Sequence, residues 1–159
     1  MGDGPDTHHG TAIAVSGRAA LIVGPSGAGK SDLALRCLAV APTALIPAAA
    51  QLVGDDRVII SLAGDQLRVA APEPIRGKLE VRGMGIVKVP YVESADLAMV
   101  VELVAPGAVE RLPDPLLTHR FMGVSVPLLR LAPFEAAAAV KVLLALSLAN
   151  QPPGKAPET

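Results

Sequence analysis

The fold of this chain is decided by the stretch Gly24-Pro25-Ser26-Gly27-Ala28-Gly29-Lys30-Ser31. It matches the phosphate-binding loop pattern G-x-x-x-x-G-K-[ST]. The apolar residues 19–23 before it predict a buried strand, and residues 32–38 after it predict a helix. Glycines let the backbone N–H groups of such a loop turn toward a polyphosphate, and the helix N-terminus adds partial positive charge. The stretch therefore predicts binding of a nucleoside triphosphate rather than a chance glycine-rich turn.

Three residues at the end of this loop carry polar side chains with distinct expected roles. We expect the Lys30 ammonium to neutralise the terminal phosphates and the Ser31 hydroxyl to ligate Mg²⁺. Asp32 has two interpretations of equal weight, a metal ligand or an acid that stabilises the first turn of the helix.

Composition limits the class of protein. The chain has 159 residues, 51% of them hydrophobic and only 2% aromatic, which predicts one domain with an aliphatic core. A net charge of −1 and the lack of interleaved basic and aromatic residues argue against nucleic-acid binding. The single cysteine, Cys37, favours a reducing cytoplasm and a buried packing role over catalysis. The uncharged residues 37–54 contain Pro42 and Pro47, so we interpret them as helix end, loop and strand, with no membrane span.

The order of predicted elements favours a mixed sheet with few helices in the α/β class. Hairpins are predicted over residues 11–23 and 57–70, and strands over residues 98–104 and 124–131. Pro133 is expected to open a last helix that runs to about residue 148. Residues 79–86 are broken by glycines and are interpreted as a functional loop. We expect a P-loop domain over residues 8–150 between disordered tails at 1–7 and 151–159.

Two adjacent carboxylates, Asp55 and Asp56, follow a short apolar approach. Adjacent residues of an extended chain point in opposite directions, so one would serve the metal or an incoming hydroxyl while the other fixes the loop. The alternative is a turn with solvated aspartates. Glu102 is a rival metal ligand, ranked lower because its apolar run continues beyond it.

Further polar residues have open interpretations. Glu80 and Arg82 alternate along an extended segment and are expected to face the same side, either at a site or as a surface ion pair. His8 and His9 stand next to the predicted tail, where most histidines are merely exposed.

Taken in order, several motifs resemble one known family. They are His9-Gly10-Thr11, the phosphate loop, Asp55-Asp56-Arg57-Val58 and Leu79-Glu80-Val81-Arg82-Gly83-Met84-Gly85-Ile86. The chain is similar over residues 8–150 to the catalytic domain of HPr kinase/phosphorylase, which phosphorylates a serine of the phosphocarrier protein HPr. The resemblance implies a P-loop fold of the phosphoenolpyruvate-carboxykinase type, use of ATP and Mg²⁺, HPr as protein substrate, and assembly into hexamers.

The resemblance also implies roles for individual residues. Asp55 matches the family's general base for phosphorylation, which acts as general acid in the reverse reaction. His9 matches an active-site histidine, Glu80 a metal-binding glutamate beside Ser31, and Lys30 the phosphate-binding lysine. Arg111 matches a catalytic arginine through a weaker surrounding sequence.

The chain departs from the family pattern before the last helix. A basic, glycine-containing loop linked to dephosphorylation is replaced by Ala132-Pro133-Phe134-Glu135. Larger members carry a further N-terminal domain, and we expect this chain to correspond to the short proteobacterial form. The kinase direction is therefore the primary expectation, with dephosphorylation as a possible second activity.

Two other classes of function remain as alternatives. The first is a regulatory module that binds ATP without catalysis, although Lys30 and Asp55 are both present. The second is a small-molecule kinase or a GTPase. The sequence lacks the guanine-reading N/T-K-x-D motif and shows no arginine-rich lid after the phosphate loop.

Overall fold

The computed structural model describes residues 5–113 and 115–149. The α-helices in this part of the chain are α1 (Lys30–Leu38) and α2 (Ala138–Ala149), and short 3₁₀ turns lie at Glu73–Ile75 and Pro106–Ala108. The strands are β1 (Asp6–His9), β2 (Thr11–Val15), β3 (Arg18–Val23), β4 (Gln51–Gly54), β5 (Arg57–Ala63), β6 (Gln66–Ala70), β7 (Lys78–Val81), β8 (Gly85–Lys88), β9 (Ser94–Leu103), β10 (Leu117–Phe121) and β11 (Val124–Leu131).

Nine strands form one sheet around the long strand β9. The order is β1-β5-β6-β9-β3-β2-β4, with β11 also paired to β9 and β10 paired to β11. β9 is parallel to β3 and β11 and antiparallel to β6. Its ten residues allow β6 to pair with the beginning of the strand and β11 with its end. The expected mixed sheet with few helices is confirmed.

The sheet is buried on both faces, which explains the continuous apolar character of its central strands. In β2, Ile13 and Val15 pack toward the helices, whereas Ala12 and Ala14 join a second cluster on the opposite face. That second cluster draws its larger side chains from β3, β4, β5, β6, β9, β10 and β11. Small residues in β2 and β3 allow the neighbouring side-chain layers to pack closely against the sheet. The side chains of both clusters are almost all aliphatic, as the composition predicts.

Both helices pack on the same face of the sheet. Helix α1 buries Leu33, Ala34 and Cys37, and helix α2 buries Val142 and Leu146 in the same cluster. Because α1 is fixed against the sheet along its length, its N-terminus is held at the carboxyl end of β3. The phosphate loop fills the short gap between them.

The structure corrects two predicted boundaries. Strand β1 begins at Asp6 and pairs with β5, so residues 6 and 7 belong to the sheet and not to a tail. Helix α2 begins at Ala138 rather than Pro133, because residues 132–137 form tight turns before the helix starts. The remaining residues of the predicted tails, 1–4 and 151–159, lie outside the described residues, as does Asn150.

The glycine-broken segment is also more regular than expected. Residues 79–86 lie in a two-stranded hairpin of β7 and β8, closed by the bond from the Met84 N–H to the Val81 carbonyl (2.9 Å). Gly83 and Gly85 have φ angles of 89° and 99°, which L side chains rarely adopt, so the glycines form the turn.

A membrane crossing by a helix finds no support in residues 5–113 and 115–149. None of the helices there combines the length and the apolar character needed to span a bilayer.

Candidate active site

The phosphate loop connects β3 to α1 through residues of left-handed backbone conformation. Gly27 and Gly29 have φ angles of 79° and 101°, and Gly29 is the N-cap of α1 without a side-chain capping bond. The first backbone N–H groups of the helix therefore have no side-chain acceptor from the cap residue. They are oriented to bind an anion at the helix N-terminus.

The Lys30 side chain folds back over this loop. Its Nζ donates hydrogen bonds to the carbonyl oxygens of Gly24 (2.9 Å) and Pro25 (3.1 Å). The ammonium is thus held at the beginning of the loop, beside the N–H groups that would bind phosphate. A positive charge in this position favours a polyphosphate ligand.

Asp55 lies at the centre of a hydrogen-bond network and is only 8% exposed. Its Oδ1 accepts from the hydroxyls of Ser31 (2.6 Å) and Thr11 (3.0 Å). Its Oδ2 accepts from the backbone N–H of Glu80 (2.9 Å). One carboxylate therefore joins the phosphate loop, the buried strand β2 and the β7–β8 hairpin.

Asp56 has a different environment. Its φ of 66° is left-handed, and its backbone is fixed by two bonds, from its own N–H to the Thr11 hydroxyl (3.3 Å) and from the Gly10 N–H to its carbonyl (3.1 Å). The Asp56 side chain is exposed and lines the cleft next to the phosphate loop. The two carboxylates therefore lie in different environments, although the left-handed backbone at Asp56 departs from the extended chain that the sequence prediction assumed. Asp55 organises the loop, and Asp56 faces the space where a substrate would lie.

The cleft has a volume of about 850 Å³. This is within the range of sites for nucleotide-sized ligands. It is lined by His9, Gly24, Ser26, Gly27, Gly29, Lys30, Ser31, Asp32, Leu35, Asp56, Glu80, Val81, Arg82 and Phe134. The sequence-predicted residues His9, Asp32, Glu80 and Arg82 are thus brought to one cleft with the loop. Asp32 also forms an ion pair with Arg36 one helical turn later (3.0 Å).

Other candidates lie elsewhere. Arg111 lines a separate cavity of about 230 Å³ together with Leu117 and Leu128, so the structure does not bring it to the phosphate-loop cleft. Glu102 forms an ion pair with Arg130 (3.0 Å) and does not line the cleft.

Two further candidates are also accounted for by packing. The His8 ring packs edge-on against Phe121, with ring centroids 5.1 Å apart. Cys37 is buried in the core, where burial raises the pKa of its thiol to about 12. A thiol that stays protonated is a poor nucleophile, so Cys37 is a packing residue.

Sequence reasoning assigned no role to two residues of the site. Thr11 is fully buried, and its hydroxyl contacts both aspartates. A hydroxyl within the otherwise apolar strand Thr11–Val15 signals a buried partner, although not which one. Phe134 lines the cleft from the turn before α2. Its only signal in the sequence is the scarcity of aromatic residues, with two phenylalanines in the chain.

A magnesium ion fits the donors of this cleft. Residues 5–113 and 115–149 contain no cluster of three or more histidine, cysteine or acidic side chains that would form a ready-made cage. Mg²⁺ is commonly held by one or two carboxylates together with waters and substrate phosphates. The Ser31 hydroxyl and the carboxylates of Asp56 and Glu80 line the same cleft and supply such donors.

Comparisons with known proteins agree with this geometry. A family model described as the HPr serine kinase C-terminal domain matches residues 5–152. The chain is 33% identical over 135 residues to an HPr kinase/phosphorylase of Chlorobium phaeobacteroides, covering 78% of this chain and 38% of that protein. It is 44% identical over 82 residues to an HPr kinase/phosphorylase of Exiguobacterium, covering 51% of this chain and 24% of that protein. The chain thus spans well under half the length of these curated relatives.

A solved structure shares the fold. The HPr(Ser) kinase/phosphatase of Coxiella burnetii superposes with a TM-score of 0.73 at 22% identity. The match covers 90% of this chain and 94% of that chain. The P-loop architecture expected from the sequence is therefore shown for this chain.

Proposed function

The chain belongs to the family of HPr serine kinase C-terminal domains, and on this premise we propose that it transfers the γ-phosphate of ATP to a serine of an HPr-like phosphocarrier protein. The observation that carries the proposal is the Asp55 network. It fixes the phosphate loop and the Asp56 turn on one cleft, so that a phosphate cradle and a free carboxylate face the same space. Phosphoryl transfer needs both of these parts.

The phosphate loop is the proposed binding site for the triphosphate. The loop residues 26–31 supply the backbone N–H groups and Lys30 the positive charge. When Lys30 turns from the loop carbonyls to the terminal phosphates, it exchanges neutral acceptors for charged ones, which strengthens its hydrogen bonds.

We assign the proton-accepting role to Asp56 rather than to Asp55. A general base must reach the proton of the attacking hydroxyl. Both oxygens of Asp55 already accept hydrogen bonds from protein groups, and the side chain is buried outside the cleft lining. Asp56 faces the cleft with an exposed carboxylate, so it can take the serine proton as the phosphoryl group is transferred. This reverses the sequence-based expectation for the two aspartates.

The remaining cleft residues are assigned by their donors. Ser31 and Glu80 would hold Mg²⁺, which when bound neutralises charge on the phosphates. Asp55 orients the Ser31 hydroxyl through their 2.6 Å bond. His9 and Arg82 line the cleft and would contact the phosphates or the protein substrate.

Several finer expectations remain predictions. They are a homo-oligomer of hexameric form, a cytoplasmic location and dephosphorylation of the carrier. Arg111 has no role in the proposed transfer because it lies at a separate cavity.

The test is transfer of labelled γ-phosphate from ATP to purified HPr in the presence of Mg²⁺. Asp56→Asn should lower the rate by about 10²–10⁴-fold while ATP still binds, because only the proton acceptor is lost. Asp55→Asn should lower both transfer and ATP binding, because the phosphate loop loses its anchor. Asp65→Asn, an exposed aspartate in the turn between β5 and β6, is the matched control and should behave as wild type.

Two results would contradict the proposal. Absence of phosphoserine on HPr, with ATP bound, would favour the regulatory-module class of function. Full activity of Asp56→Asn beside an inactive Asp55→Asn that binds ATP normally would return the proton-accepting role to Asp55.

A further inference from the structure

Phe134 is a large apolar side chain left in water at the edge of the phosphate-loop cleft. It is 72% exposed, yet it lines the cleft beside Gly29 and Leu35. Single exposed apolar residues are common on protein surfaces. This one is unusual for its chain, which contains two phenylalanines, one tyrosine and no tryptophan.

The Phe134 ring is packed against the phosphate loop itself. A Cβ built on Gly29 would lie only 3.0 Å from Phe134 Cζ and 3.1 Å from Cε1. An L side chain at Gly29 would be strained by the φ of 101° and would also crowd the edge of the Phe134 ring. The ring is adjacent to the residue from which helix α1 and its phosphate-binding N–H groups begin.

The turn that carries Phe134 is anchored to helix α1. Arg36 donates to the Pro133 carbonyl and also forms the ion pair with Asp32. Ala132 and Ala138, at the two ends of the turn, are buried. The turn is therefore anchored to the helix that follows the phosphate loop, and it places the Phe134 ring beside that loop.

We propose that Phe134 is the stacking platform for the base of the nucleoside triphosphate whose phosphates lie in the loop. The inference rests on the proposed binding of ATP and adds the part of the site that holds the nucleoside. The flat face of an aromatic ring beside the phosphate loop can stack against the base and displace water from both surfaces. The polar side chains of the cleft offer no such surface. Leu35, half-buried on the same side of α1 as the cleft, adds apolar surface.

Stacking on an aromatic ring has a defined chemical consequence. Every base has a π face, so the platform should bind ATP and GTP with similar affinity and should discriminate both from inorganic tripolyphosphate. A sequence-tolerant platform agrees with the absence of the guanine-reading motif from the chain.

The test compares binding of ATP and of inorganic tripolyphosphate by calorimetry, both with Mg²⁺. Phe134→Ala should weaken ATP binding on the order of 10- to 100-fold, from the usual contribution of base stacking, and should leave tripolyphosphate binding unchanged. Leu112→Ala removes an equally apolar side chain that is 83% exposed and outside the cleft, so it should change neither affinity.

A second variant reports on the contact directly. Phe134→Trp introduces the only tryptophan of the chain, so its fluorescence comes from this position alone. It should retain ATP binding, and ATP but not tripolyphosphate should quench the emission. This fluorescence measurement tests the contact even if Phe134→Ala fails to fold.

Three results would overturn the proposal. Equal weakening of ATP and tripolyphosphate by Phe134→Ala would mean that the ring only supports the phosphate loop. Unchanged ATP affinity, with weaker phosphorylation of HPr at low HPr concentration, would mean that the ring contacts the protein substrate. Equal affinity of the wild-type chain for ATP and tripolyphosphate would exclude any site for the base.

The outcome is independent of the kinase assay. If ATP binding depends on Phe134 but HPr is not phosphorylated, the stacking platform stands and the kinase proposal fails. If HPr is phosphorylated and ATP affinity does not depend on Phe134, the reverse holds.

Discussion

Thr11→Val tests whether the buried network holds the site together. Valine has nearly the shape of threonine but lacks the hydroxyl, which here donates to Asp55 Oδ1 (3.0 Å) and accepts from the Asp56 N–H (3.3 Å). Thr11 is 0% exposed, so water does not easily replace the lost partner of Asp55. The variant removes one connection between the core strand β2 and both aspartates.

The expected cost follows from these two bonds. A hydrogen bond to a charged group contributes about 1.5–3 kcal/mol, and the longer bond from the partly exposed Asp56 N–H adds little. We therefore expect a loss of about 2–3 kcal/mol in the free energy of unfolding. At roughly 2–4 °C per kcal/mol for a chain of this size, the melting temperature should fall by about 4–12 °C.

The assay is thermal unfolding of four proteins: wild type, Thr11→Val, Asp55→Asn and the double variant. If the threonine acts through Asp55, the effect of Thr11→Val should shrink by at least ~0.5 kcal/mol in the Asp55→Asn background. Transfer to HPr should fall roughly 10- to 100-fold in Thr11→Val, because the Asp56 backbone loses a contact that positions its carboxylate.

Thr11→Ser is the matched control because it keeps the hydroxyl and loses only a methyl group. It should retain transfer activity at the cost of about 1 kcal/mol of stability. Full additivity of Thr11→Val and Asp55→Asn, or a wild-type melting temperature in Thr11→Val, would refute the assigned coupling.

Two further predictions concern the phosphate loop and the core. Gly29→Ala and Gly64→Ala both place alanine at a left-handed position (φ 101° and 65°), so each variant should lose about 1–2 kcal/mol in the free energy of unfolding. Gly29→Ala also displaces the Phe134 ring, so it alone should lose ATP affinity in calorimetry. Cys37, whose thiol pKa is raised to about 12 by burial, should react with a thiol reagent at pH 8 only after unfolding in denaturant. Because the folded pKa lies above the ordinary value of 9.0, the stability due to the neutral buried thiol is present below pH 9 and is lost as the pH rises toward 12. Unfolding of wild type should therefore become easier between pH 9 and 10.5, and a similar response in Cys37→Ala would contradict this explanation.

Local patterns predicted much of the fold. Runs of strand-forming residues separated by turn residues predict the hairpins β2–β3 and β5–β6, and the structure forms both with continuous antiparallel pairing. The start of α2 was wrong, because a proline in a favourable first-turn position is compatible with several helix starts. The contact between Arg36 and the Pro133 carbonyl, distant in sequence, holds residues 132–137 in a turn instead.

In the candidate site, too, local motifs predicted the positions of some residues and failed for another. The phosphate loop and the set His9, Asp32, Glu80 and Arg82 were identified from motifs, and all of them line the cleft. Arg111 was expected with them, but it lies after β9 in a segment that lines another cavity. The short motif around Arg111 has no fixed spacing to the phosphate loop, so it does not predict whether Arg111 lies near that loop in the folded chain.

The sequence by itself determined where the phosphate loop lies, at residues 24–31, because the geometry of that loop depends on neighbouring glycines and on the helix that follows directly. It also predicted that the Asp55 and Asp56 side chains point in different directions, on the assumption of an extended chain. The directions do differ, although the backbone at Asp56 is left-handed. Only the tertiary structure decided which aspartate faces the cleft. That choice depends on Thr11, Ser31 and the Glu80 N–H, which approach Asp55 from three separate segments and bury its carboxylate.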